Sequence, residues 1–237
     1  MSTRAATAFF KTALYASLLV TRDQALISRY KPKWAADVLK TLGFELTVNG
    51  SPPLDGACIL VGNHVSYLDI PVVMASEAAA VFIAKDDLLK WPLIGVGAKG
   101  IGTIFVSRKS GADRSAAREA VAERLSQPGG DKVVVFPSGT TTLDESKPWK
   151  RGIFEIAKAS KIPVQLFHIQ YHPTRESAYI DDDNLLVQMS GLSKVKNKTA
   201  TLTWLDRYDE IDDPAVFAES LRHKVRARLI PESACSP

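Results

Sequence analysis

Two short runs constrain this chain most. Cys58-Ile59-Leu60-Val61 and Val133-Val134-Val135-Phe136 are apolar at every position, and each ends in a polar cluster bearing glycine or proline. A strand covered on one face alternates apolar and polar residues; a strand apolar throughout is covered on both. Such strands belong to a sheet sandwiched between helices. Chemistry in such sheets gathers where strands end and helices begin. The polar clusters after these runs are therefore the first places to look for a site.

The rest of the chain supports that frame. Strand-like segments are expected near 44–48, 57–62, 81–84, 103–106, 132–136, 163–170, 185–189 and 201–205. Helical spacing is expected near 34–42, 67–76, 92–98, 113–127, 151–160 and 214–229. The fold class is α/β, with a mostly parallel or mixed central sheet flanked by helices. Pro128-Gly129-Gly130 reads as a turn rather than a linker. With 46% hydrophobic and 24% charged residues, disordered and fibrous classes are excluded. Two cysteines, Cys58 and Cys235, exclude a disulfide scaffold and a thiolate zinc site. Cys58 lies in an apolar strand and reads as core.

Net charge is +4, and its placement is informative. Residues 1–50 carry Arg4, Lys11, Arg22, Arg29, Lys31, Lys33 and Lys40 against Asp23, Asp37 and Glu45; the remainder is neutral. The excess adjoins an apolar stretch at 5–20. As a helix that stretch reaches only ~24 Å, short of the ~30 Å hydrocarbon core of a bilayer. A secretory signal fits poorly, because basic residues follow the apolar run. Two readings stay open: an interfacial helix with Phe9, Phe10, Leu14, Tyr15, Leu18 and Leu19 toward lipid, or a helix packed on the domain. A second short helix is expected at 23–30, with Trp34 as an interface anchor. The expected organisation is a helical segment at 1–32 and one domain at 33–237. Nucleic-acid binding is disfavoured, since no groove pattern of interleaved basic and aromatic residues is present.

Three strand ends carry chemistry. The first is Gly62-Asn63-His64-Val65-Ser66-Tyr67-Leu68-Asp69. Five residues of one continuous helix would set His64 and Asp69 ~140° apart. They can meet if His64 lies in the strand-end loop and Asp69 in the first helical turn. Ser66 and Asp69 have capping-box spacing. Asp69 then fixes the imidazole tautomer and leaves the other nitrogen as a base; alternatively Asp69 only caps. The second cluster places Lys85 and Arg108 at strand ends, as a phosphate clamp or as two solvated cations. The third, Pro137-Ser138-Gly139-Thr140-Thr141-Thr142, is a hydroxyl-rich turn suited to an anion or oxyanion. Lys150 and Arg151 follow at a helix start. His168, His172 and His223 have no partner motif and read as structural or surface residues.

Together, in this order, the clusters resemble the glycerolipid acyltransferase family, over about residues 34–205. Asn63-His64 and Asp69 match its N-H-x4-D motif. Lys85, Leu88, Pro92, Gly95, Gly102, Ile104, Phe105 and Arg108 match its second motif, with Asp87 for the usual glutamate. Phe136, Pro137, Gly139 and Thr140 match F-P-E-G-T-R, and Ile162-Pro163-Val164 a fourth. Ser138 stands at the family's glutamate position and Thr141 at its arginine position. A Gly-Thr-Thr ending is similar to acyltransferases of other lyso-lipids, including lyso-ornithine lipids.

The resemblance implies transfer of a fatty acyl group from acyl-CoA or acyl-carrier protein to the hydroxyl of a 1-acylglycerol-3-phosphate-like lyso-lipid. It implies His64 as base and Asp69 as its orienting partner. Lys85, Arg108, Ser138, Gly139, Thr140, Thr141 and Arg151 are the substrate-binding candidates. Backbone amides near Gly139 or Ser66 are candidate oxyanion donors. No metal or cofactor is required for this chemistry. The membrane surface is the expected partner, and the expected place is the cytoplasmic face of the inner membrane, bound peripherally or monotopically. Alternatives are a different lyso-lipid acceptor, a thioesterase using water, or a lipid-binding relative without turnover.

Overall fold

A computed structural model describes residues 6–8, 10–12, 15, 24–53, 56–77, 80–90, 94–107, 110–127, 131–181 and 183–229. In chain order the elements are α1 (Gln24–Leu42), β1 (Phe44–Asn49), β2 (Cys58–Val61), α2 (Asp69–Ser76), β3 (Ala80–Lys85), a 3-10 turn (Asp86–Lys90), α3 (Ile94–Gly100), β4 (Ile104–Val106) and α4 (Gly111–Ser126). There follow β5 (Lys132–Val135), α5 (Gly152–Ser160), β6 (Val164–His172), α6 (Thr174–Ser177), α7 (Leu185–Leu192), β7 (Lys198–Tyr208) and α8 (Pro214–Arg226).

The strands form one seven-stranded sheet in the order β1-β7-β6-β2-β5-β3-β4. All neighbours are parallel except β6 and β7, which are antiparallel. The sheet is thus mixed and mostly parallel. The two apolar runs lie side by side at its centre, with Val61 opposite Val135. Side chains alternate between faces along a strand. Cys58 and Leu60 join one core with Val38 and Leu39 of α1 and Val72 and Val73 of α2. Ile59 and Val61 join the opposite core with Leu125 of α4, Phe154 of α5 and Leu221 of α8. That is why β2 has no polar position.

Two expected elements are corrected. Residues 185–189 form helix, not strand. Asn184 lies just ahead of α7, its side chain accepting from the Val187 amide, a helix-start signal before a short apolar run. The helices expected at 23–30 and 34–42 are one continuous helix, α1, with Pro32 inside it.

Residues 6–8, 10–12 and 15 are helical, and Lys11, Thr12 and Tyr15 contact α1. Lys11 donates to Thr41 (3.0 Å), Tyr15 to Asp37 (3.0 Å) and the Trp34 indole to Thr12 (3.3 Å). Ala8 is buried in the core, while Phe10 is exposed. Tyr15, expected toward lipid, and Trp34, expected as an interface anchor, direct their polar groups to Asp37 and Thr12. Phe9, Leu14, Leu18 and Leu19 lie outside the described residues. Among the described residues no helix is long and apolar enough to cross a membrane.

Candidate active site

The parallel pairing of β2 and β5 brings the loops after them to the same sheet edge. His64 follows β2 and Phe136 follows β5, and their rings stack at 4.1 Å, 9° from parallel. Phe136 in turn meets Phe167 of β6 edge-on. Gly62 makes this stack possible: a Cβ there would collide with the Phe167 ring. Asn63, fully buried, continues the β2–β6 ladder with its side chain. Its carboxamide donates to the Ile169 carbonyl (2.7 Å) and accepts from the Ile169 amide (2.8 Å). A carboxamide carries one acceptor and one donor group, as a peptide does, so asparagine suits this place.

His64 Nδ1 lies 2.7 Å from Asp69 Oδ2. Asp69 is fully buried, whereas the His64 side chain is 21% exposed. The same Oδ2 accepts the amides of Val65 (2.7 Å) and Ser66 (3.1 Å). Oδ1 accepts the Tyr171 hydroxyl at 2.7 Å. A buried carboxylate needs such donors to remain charged. With the carboxylate accepting, Nδ1 carries the proton and Nε2 is left as the basic nitrogen. Tyr171 is fully buried, and burial beside Asp69 raises its hydroxyl well above the usual value, so it stays a donor.

The capping box expected at Ser66 and Asp69 is only half formed. Asp69 accepts from the Ser66 amide, but the buried Ser66 hydroxyl has no partner among the described residues. This also removes an expected oxyanion donor, since the Val65 and Ser66 amides are spent on Asp69. The Gly139 amide closes a turn onto the Phe136 carbonyl (3.0 Å), with Gly139 at φ 74°.

The other candidates are placed as follows. Ser138, Gly139, Thr140 and Thr141 lie in the loop after β5. Ser138 is buried, its hydroxyl donating to the Thr140 carbonyl (2.9 Å). Its neighbour Thr142 donates its amide to the His64 carbonyl (2.7 Å), tying this loop to the first cluster. Lys85 ends β3. Arg108 lies outside the described residues. Arg151, just ahead of α5, pairs with Glu155 at 2.9 Å on its own helix.

Cys58 is buried, and burial pushes its thiol up to about 11, the state of an inert core residue. Cys235 lies outside the described residues. His168 is buried with an unpartnered Nε2, and burial lowers it to about 4. His223 pairs with Glu219 on α8. Sequence reasoning missed Tyr171 and Glu145. The first comes from a strand a hundred residues downstream, and the second falls outside every recognised motif.

A strand-end imidazole, oriented by a buried carboxylate and open to solvent, has the geometry that suits general-base attack by a hydroxyl or water. The chain belongs to the Acyltransferase family, whose model matches residues 45–169, and it is an acyltransferase. It is 31% identical over 207 residues to the lyso-ornithine lipid O-acyltransferase of Pseudomonas aeruginosa, covering 85% of this chain and 78% of that protein. It is 29% identical over 153 residues to the 1-acyl-sn-glycerol-3-phosphate acyltransferase of Neisseria gonorrhoeae, covering 64% of this chain and 57% of that one. Its fold matches the solved 1-acyl-sn-glycerophosphate acyltransferase PlsC of Thermotoga maritima, with TM-score 0.72 and 20% identity, over 95% of this chain and 93% of that one.

Proposed function

We propose that this acyltransferase moves a fatty acyl group from a thioester, acyl-CoA or acyl-carrier protein, to the hydroxyl of a lyso-lipid. The observation that carries the proposal is the 2.7 Å His64–Asp69 contact at the sheet edge. His64 Nε2 takes the hydroxyl proton as the oxygen attacks the thioester carbon. Asp69 stabilises the imidazolium, and the proton leaves on the departing thiolate as the C–S bond breaks. An ester and a free thiol result. General-base action of this kind is worth about 10²–10⁴-fold.

The first acceptor to test is a 1-acylglycerol-3-phosphate-like lipid, with Lys85, Arg108 and Arg151 as phosphate partners and Ser138, Gly139, Thr140 and Thr141 as further binding candidates. A second acceptor, lyso-ornithine lipid, is favoured by a specific observation. Ser138 and Thr141 carry no charge, and Ser138 is closed into its own turn. The relative from Pseudomonas aeruginosa carries that acceptor in its name. The test is mass spectrometry of products from acyl-CoA and a panel of both lyso-lipids, with a no-acceptor control. A diacyl product names the acceptor. Free fatty acid alone, formed without lyso-lipid, would overturn acyl transfer in favour of hydrolysis.

We place the enzyme on the cytoplasmic face of the inner membrane, bound peripherally through the helical segment of residues 1–32. Support comes from the basic excess there, from exposed Phe10 and Arg29, and from exposed Lys33 just beyond it. Exchanging Arg29 and Lys33 for glutamate should weaken co-flotation with anionic vesicles. Undiminished flotation at low salt would put the docking surface elsewhere.

A further inference from the structure

Glu145 lies in the long loop between β5 and α5, has no side-chain exposure, and belongs to none of the recognised motifs. Its Oε1 accepts the His64 amide at 3.0 Å, and its Oε2 accepts the Trp149 indole N–H at 2.7 Å. Its main-chain carbonyl accepts Arg222 Nη1 of α8 at 2.7 Å. Three residues earlier, Thr142 donates to the His64 carbonyl. One loop therefore holds both main-chain polar groups of His64. Glu145 has φ 47°, a left-handed conformation unusual outside glycine and kept only where surrounding contacts enforce it.

The chemistry of the partners dictates the side chain. Both groups facing the carboxylate are N–H donors. A carboxylate accepts at both oxygens; a carboxamide accepts at one and turns an NH₂ toward the other donor. A second buried negative charge thus lies beside the His64–Asp69 pair. Burial pushes the Glu145 carboxyl up, while the Trp149 and His64 hydrogen bonds pull it back. His64 favours its charge, Asp69 opposes it, and Arg222 of α8 is the cation packed on its main chain.

We propose that Glu145 is a positioning residue for acyl transfer. Its ionised carboxylate pins the His64 main chain so that the ring stays between Asp69 and Phe136, and its charge stabilises the imidazolium formed as the hydroxyl proton is taken. The proposal rests on His64 as the base, so the test measures both. Glu145→Gln, Glu145→Asp and His64→Ala are compared with the wild type in kcat, KM and pH profile.

Glu145→Gln should lose about 10- to 100-fold in kcat, as small displacements of a reacting group do, with KM for both substrates little changed. Its acid limb of kcat/KM should move to lower pH, because removing a nearby negative charge makes imidazolium less stable. Glu145→Asp keeps the charge but shortens the reach, so kcat should fall while the acid limb stays. Wild-type kcat and an unmoved acid limb in Glu145→Gln, with His64→Ala inactive, would overturn this proposal alone. Wild-type turnover in His64→Ala would instead remove the reading beneath it. If Glu145→Gln is insoluble, Glu145→Asp decides, and wild-type kcat there overturns the proposal.

Discussion

Helix α2 is bounded by two buried carboxylates, and they are held in opposite ways. Asp69 opens the helix, where the macrodipole favours negative charge. It is satisfied by two amides, the Tyr171 hydroxyl and the His64 ring. Glu77 caps the other end, where the dipole disfavours it. It requires a permanent cation and has one in Lys132, 2.9 Å away and equally buried. Lys132 also donates to the Pro53 carbonyl, and nearby Lys31, also buried, donates to the Ala80 carbonyl. A carboxylate held mostly by neutral donors leaves its histidine able to take and release a proton. One locked to a lysine has nothing to exchange. The first arrangement suits proton exchange; the second joins α2 to β5 at the far end of the sheet, where Lys31 also ties α1 to β3.

The contrast can be broken from either side. The largest expected effect is on the His64 side: per folded molecule, His64→Ala should lower acyl transfer by about 10²–10⁴-fold, with some loss of Tm because buried Asp69 loses a hydrogen bond. A folded variant with full turnover would overturn the assignment. At the other end, Glu77→Ala should cost about 3–5 kcal/mol, read from urea unfolding, because it strands the buried Lys132 charge. Per folded molecule its kcat should remain; a large loss would mean the two ends are coupled.

A finer test is Tyr171→Phe. Losing a hydrogen bond to a buried charge costs about 1.5–3 kcal/mol. It should also make Asp69 a stronger acceptor toward the imidazolium and move the acid limb of kcat/KM upward. An unmoved limb would limit Tyr171 to packing. The smallest effect at neutral pH concerns Lys31, which burial lowers to about 8 from the ordinary 10.5. Below pH 8 both folded and unfolded states hold the proton, and the folded state bears the cost of burying the charge. Between 8 and 10.5 the unfolded state binds more, so stability rises with pH. Measured against Lys31→Met, the wild type should gain up to about 3 kcal/mol over that window. A flat difference would show that the ammonium is not desolvated.

The sheet and the dyad were legible for different reasons. Unbroken apolar runs at Cys58–Val61 and Val133–Phe136 announced doubly covered strands, and His64 and Asp69 are close enough in sequence for a loop and one helical turn to join them. The strand expected at 185–189 failed because a short apolar run has no periodicity to separate strand from helix. Tyr171 and Glu145 were invisible because their contacts span 102 and 81 residues of chain, and no local pattern encodes a partner at that distance.

The sequence by itself therefore determined the class of sheet, the strand ends that bear polar groups, and the dyad, since each follows from local spacing and burial pattern. The tertiary structure alone decided that β5 lies beside β2, so that Phe136 meets the His64 ring, and that β6 supplies the fourth donor to Asp69. It also decided which amides are already engaged. The reason is physical: a buried polar group is satisfied by whatever the packing brings within about 3 Å, and only the folded chain fixes which groups those are.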